Sequence, residues 1–155
     1  MRDAFGGIIN ISMIVVFLVI VSGYLAFNVS YTKAFRVKNK IITTIEQYEG
    51  KCDTNQECYD KIHAYIQQIG YSPAQFDGDA DGCTPINKDK FKKDGYFVAR
   101  CTGTPGSTVG TSSDYRKVYY KVETAIDISI PIVNNIITNM KVFRLTGNTK
   151  LIKED

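Results

Sequence analysis

Residues 8–29 read IINISMIVVFLVIVSGYLAFNV, an apolar run without one charged side chain. At about 1.5 Å per residue in a helix, such a run spans a bilayer core of roughly 30 Å. Arg2 and Asp3 precede it; Lys33, Arg36, Lys38 and Lys40 come after it. A secretory signal peptide would need a shorter apolar core and a small-residue cleavage site directly after it. Residues 31–40 instead read YTKAFRVKNK, a good helix former. The segment therefore reads as a retained membrane anchor, behind a short leader-like segment at 1–7.

The helical pattern runs on past the anchor. Tyr31, Ala34, Phe35, Ile41, Ile42, Ile45 and Tyr48 recur near helical spacing, and Gly50 offers a C-terminal stop. Residues 8–49 thus predict one helix of about 60 Å. Its first half, 8–29, is apolar all round, as befits lipid or neighbouring helices. Its second half, 30–49, carries a single apolar stripe, as befits packing on a domain.

That domain occupies 51–155, enough chain for one modest core. All four cysteines, Cys52, Cys58, Cys83 and Cys101, lie in it and none in the anchor. Four cysteines in a small domain beyond an anchor fit two disulfides in an oxidising compartment. Three connectivities are open. The favoured one is Cys52–Cys58, closing a tight loop at a helix start, with Cys83–Cys101, tying a loop to a strand. Zinc is the rival, but no CxxC pair is present and His63 lacks a partner at ligand spacing.

The cations after the span place the domain in the cytoplasm by the positive-inside bias, whereas the cysteines place it outside. We side with the cysteines, because a domain of this size translocates largely regardless of its charge. A net charge of +3, scattered along the chain, excludes nucleic acid as an expected partner.

Within the domain, Asp53 or Thr54 can cap a helix to about Ile69, with Tyr59, Ile62, Tyr65, Ile66 and Ile69 on one face. A polar loop at 77–95 precedes a strand at Tyr96–Thr102, and GTPGSTVGTSSD at 103–114 reads as a surface loop. VYYKVETAIDISI, 118–130, alternates cleanly: Val118, Tyr120, Val122, Thr124, Ile126, Ile128 and Ile130 on one face, Tyr119, Lys121, Glu123, Ala125, Asp127 and Ser129 on the other. That predicts a long strand with one buried and one wet face. IPIVNNIITNM, 130–140, is a crossover or a short helix. A last strand is expected at Lys141–Leu145, resuming at Thr149–Ile152 after Gly147–Asn148. The expected class is α+β: a long transmembrane-plus-amphipathic helix packed on a small antiparallel sheet, with one additional helix.

Sequence signs of chemistry are few. DGDADG, 77–82, opens like a calcium loop, since Asp77, Asp79 and Asp81 alternate ahead of Gly82. The glutamate position is Lys88, however, and Pro85 interrupts the loop. An exposed acidic turn is the plainer reading, and calcium stays as the candidate cofactor. His63 stands alone among tyrosines, and neither a nucleophile motif nor a phosphate-binding glycine loop occurs. The chain is not expected to be an enzyme.

The start RDAFGG at 2–7, the apolar run 8–29 and YTKAFRVKN at 31–39 resemble the type IV pilin-like proteins, and within them the TadE-like group of tight-adherence pili. The long strand, its apolar interruption and RLTGNTK at 144–150 resemble the same group more loosely; 51–114 has no counterpart. The resemblance implies a minor pilin or pseudopilin in a bacterial cell membrane or pilus, with its domain extracytoplasmic. It also implies partner subunits meeting through the N-terminal helix, and a prepilin peptidase cutting after Gly6 or Gly7. Family members commonly carry a glutamate early in the mature helix. Here Asn10, Ile11 and Ser12 occupy that neighbourhood, and the span has no acidic residue. A membrane-anchored extracellular binding module, calcium-dependent through the 77–82 loop, is the alternative.

Overall fold

The computed structural model describes residues 2–52, 54–71, 78, 80–86, 95–103, 105, 117–126 and 143–153, with side chains from Gly7 onward. Helix α1 runs unbroken over Arg2–Gln47, 46 residues, beginning six residues before the predicted start. It ends where Glu49 and Gly50 turn left-handed, at φ 51° and 78°. The Gly50 amide then donates to the Ile45 carbonyl at 2.9 Å, closing the last turn. Glycine is required at position 50 twice over. Its φ disfavours side chains, and a Cβ there would meet Tyr120 Oη at 2.5 Å.

Helix α2, Gln56–Gln68, starts at Asn55, whose side chain accepts the Glu57 amide. The cap is therefore neither Asp53 nor Thr54: the Cys52–Cys58 bond draws the chain tight, and Asn55 is the residue left in extended backbone. α2 then runs back along α1. Lys61 donates to the Tyr48 hydroxyl (2.7 Å), Lys40 lies over the Tyr65 ring, and Gly70 meets Lys33. Cys58, Ile62 and Ile66 are its buried edge.

The sheet comprises β1 (Thr84–Pro85), β2 (Tyr96–Thr102), β3 (Lys117–Ile126), β4 (Phe143–Asn148) and β5 (Ile152–Lys153), all pairs antiparallel. β2 coincides with its predicted strand, while β1 lies in the segment read as loop. The central strand is β3, with β2 on one side and β4 then β5 on the other. The predicted crossover at 130–140 and the tail of the long strand, 127–130, lie outside the described residues.

The final strand breaks later than expected. Three residues, Thr149–Leu151, face two, Tyr119 and Tyr120, between the β4 and β5 registers, which makes a bulge. Thr149 fills the gap in the ladder: its amide donates to the Tyr120 carbonyl, and its hydroxyl accepts the Tyr120 amide. Gly147 and Asn148 stay within β4, where the stem of Lys38 and Ile42 of α1 press on Gly147.

Even-numbered residues of β2 and β3 face α1. Ala34, Val37, Ile41 and Ile45 pack there on Tyr96, Val98, Val118, Tyr120, Val122 and Ile126 in one core. The odd-numbered face was expected to be wet and is not. Tyr119, Lys121, Glu123 and Ala125 are all buried, and Phe97, Ala99 and Ala125 form a second cluster under Ala80 and Cys83. Three things make this burial tolerable. The Cys83–Cys101 bond lashes the 80–86 loop to the sheet, Gly78 lets the Phe97 ring approach, and Lys121 neutralises Glu123. The fold is α+β as expected.

Candidate functional site: the helix and its collar

Along α1 the side-chain environment changes abruptly. Ile8 to Val29 presents its large apolar side chains outward, with Ile8, Met13 and Phe17 between 64% and 72% exposed. From Ala34 onward one stripe is sealed in the core. By length and composition the helix can cross a membrane, and none of its most apolar window is buried inside the fold. That is compatible with a single-pass anchor whose helix continues rigidly as the spine of the domain.

At the changeover sits a collar of cations. Lys33 Nζ donates to the Gly70 carbonyl at 3.1 Å, where the exposed carbonyls of α2 carry partial negative charge. Lys38 Nζ lies 4.7 Å from the Phe35 ring centre and 3.5 Å from the Thr146 carbonyl. Lys40 lies over Tyr65 at 5.7 Å. Three of the four residues read as a topology signal thus join the helix to α2 and β4, and such cations would be present whichever side the domain occupies. On the β4 side, Phe27, Tyr31 and Phe35 form a run of neighbouring rings on α1, and Phe143 meets Phe27 edge-on at 6.1 Å. Of these, Tyr31 has the amphipathic ring that suits a membrane–water boundary.

Both favoured disulfides are present, with Cα separations of 5.3 Å for Cys52–Cys58 and 4.6 Å for Cys83–Cys101. Gly6 and Gly7 both lie within α1, and nothing approaches within 4 Å of the Cβ position of Gly7. His63 is a half-buried helix residue beside Tyr59 and Gln67.

Asp77 and Asp79 lie outside the described residues. Asp81, left-handed at φ 43°, directs its carboxylate to Lys121, which also holds Glu123 at 2.9 Å. Burial pushes the Lys121 ammonium down, but hydrogen bonds to Asp81 and Glu123 outweigh it and hold its pKa above the ordinary lysine value. Among the described residues no group of three or more His, Cys, Asp or Glu side chains is placed to hold a metal ion. The Lys121–Glu123 pair escaped sequence reading because two charges on alternate strand positions normally signal a solvated face. Among the described residues it is the 80–86 loop, some 40 residues away in the chain, that lies over this face.

Comparison with protein-family models, curated proteins and solved structures returned no match.

Proposed function

We propose that this chain is a membrane-anchored, pilin-like structural subunit, a minor pilin or pseudopilin of a type IV or tight-adherence pilus or a related secretion apparatus. The observation that carries this reading is the unbroken 46-residue helix, apolar and exposed in front, sealed into the domain behind. A tether would need only the span. A rigid continuation lets neighbouring subunits register their domains through helix–helix packing.

In this reading the front half holds the subunit in a bacterial membrane before assembly and then packs against other subunits' helices. Asn10 and Ser12 lie on that segment, and interhelical hydrogen bonds from such residues contribute about 1 kcal/mol each. The domain lies on the extracytoplasmic side, where its two disulfides form. A prepilin peptidase would act at Gly6 or Gly7. The missing glutamate argues for a peripheral place, at a filament base or tip, over the repeating shaft. The role is structural and non-enzymatic.

Deletion of the gene in its host tests the reading: assembly of the pilus, or secretion through the related apparatus, should fail. Normal assembly and adhesion in the deletion strain would overturn it. Intact mass of the membrane-extracted chain adds an independent check, since cleavage at Gly6 or Gly7 and the loss of four protons to two disulfides are both expected.

The second reading is an anchored binding module using calcium at the 77–82 loop. It draws on Asp81, whose side chain is 63% exposed despite its bond to Lys121. Calorimetry of the full chain with calcium separates the two: heat at micromolar to millimolar calcium supports the module, and a flat titration removes it.

A further inference from the structure

We propose that the groove between α1 and the C-terminal end of α2 holds one anionic phospholipid, its phosphate on Arg36 and Lys33 and its acyl chain along Leu25 and Val29. The inference rests on the reading of 8–29 as a membrane span. The groove encloses about 490 Å³, with Ile69, the residue that caps α2, as its far wall. Leu25, Val29, Lys33 and Arg36 succeed one another at helical spacing along a single face of α1.

Their order along the helix is that of an amphiphile standing in a bilayer leaflet. From Leu25 to Arg36 the helix climbs about 16 Å, from the end of the apolar run to the second of the flanking cations. A polypeptide partner has no reason to be apolar at the membrane end and anionic at the other; a phospholipid has that polarity built in. The rim carries two cations, and among the described residues none that lines the groove is acidic, so its charge complements a phosphate.

Each cation has the means to bind. Lys33 spends one N–H on the Gly70 carbonyl, and its ammonium carries two more. Without Lys33 the carbonyl end of α2 would repel an anion; with it, that end becomes part of the binding wall. Arg36 is exposed, and its planar guanidinium matches phosphate oxygens two at a time. The bound lipid would fix the height and tilt of the domain above the membrane before the subunit is assembled.

The test uses the full chain reconstituted in nanodiscs of phosphatidylcholine with one-fifth phosphatidylglycerol, released gently into a native mass spectrometer. Wild type should retain one phosphatidylglycerol in at least about fivefold excess over the bulk lipid ratio, the factor one cation contributes near an anionic surface. Arg36→Gln should bring retention toward the bulk ratio, and Lys40→Gln, on a cation held over Tyr65, should leave it unchanged. A bulk ratio for wild type, or equal losses in both variants, would overturn the site while leaving the anchor intact. A chain that never enters the nanodiscs would overturn the anchor, and the site with it.

Discussion

The hydroxyl of Thr124, near the C-terminal end of β3, donates to the main-chain carbonyl of Ala34 on α1 at 3.3 Å, and both residues are wholly buried. Ala34 is the first residue of α1 sealed in the core, so the close approach of helix to strand there depends on its small side chain. Ala34→Leu should overpack the seam and cost about 1–3 kcal/mol. Thr124→Val keeps the shape, loses the bond and should cost about 1 kcal/mol. Thermal melts of the full chain in detergent, followed by near-ultraviolet circular dichroism, measure both. An Ala34→Leu variant as stable as wild type would place the helix off the sheet.

Just past the end of α1, Gly50 lies tight against β3. A side chain at φ 78° is strained by about 1–2 kcal/mol, and a Cβ must also displace the Tyr120 ring. Gly50→Ala should therefore lower the melting temperature measurably, whereas alanine at the open, ordinary helical position Gly7 should not.

The charged pair under the 80–86 loop gives a sharper test. Lys121→Met leaves Glu123 buried without its lysine and should cost about 3–5 kcal/mol, while adding Glu123→Leu should recover most of that. Asp81→Asn should cost under about 1 kcal/mol, because that carboxylate is largely solvated. If the single Lys121→Met variant melts like wild type, the pair is not buried in solution.

The same lysine sets a pH dependence. Its folded pKa lies above the unfolded one, so the native state holds the proton more tightly. Its contribution is fully present below the ordinary lysine pKa of about 10.4 and is lost as pH rises through the higher folded value. The stability gap between wild type and Lys121→Met should thus stay level from neutral pH to about 10 and narrow above it. Comparing the two proteins cancels the titration of the ten tyrosines. A gap that narrows below pH 8 would contradict the assignment.

The two disulfides should differ in worth. Cys83–Cys101 closes 18 residues and Cys52–Cys58 closes 6. On chain entropy the first is worth about 3 kcal/mol and the second about 2 kcal/mol. The paired Cys→Ser variants, melted side by side, check the order. Removing Cys83–Cys101 should also expose Phe97 and Ala99 to a hydrophobic dye, since that bond holds the covering loop in place.

The long apolar helix was legible in sequence alone, because a run of twenty-two uncharged, mostly apolar residues is long enough to span a bilayer and satisfies its own backbone as a helix. So was its continuation into the domain: Ala34, Ile41 and Ile45 share a stripe at a period that backbone geometry dictates. The position of β2 was local as well, set by an apolar run; of the three possible disulfide pairings the sequence only favoured the one the fold adopts. Tertiary structure decided the rest. Alternation in VYYKVETAI shows which residues share a face, but exposure depends on what the remainder of the chain lays over that face. Here a loop held by Cys83–Cys101 covers it, turning Lys121 and Glu123 from a solvated edge into a buried pair. Likewise the four cations after the span carry a charge that sequence can count. The partners of the three lysines among them, the Gly70 carbonyl, the Thr146 carbonyl and the Tyr65 ring, lie 25 to 108 residues away, and only the folded chain brings them within reach.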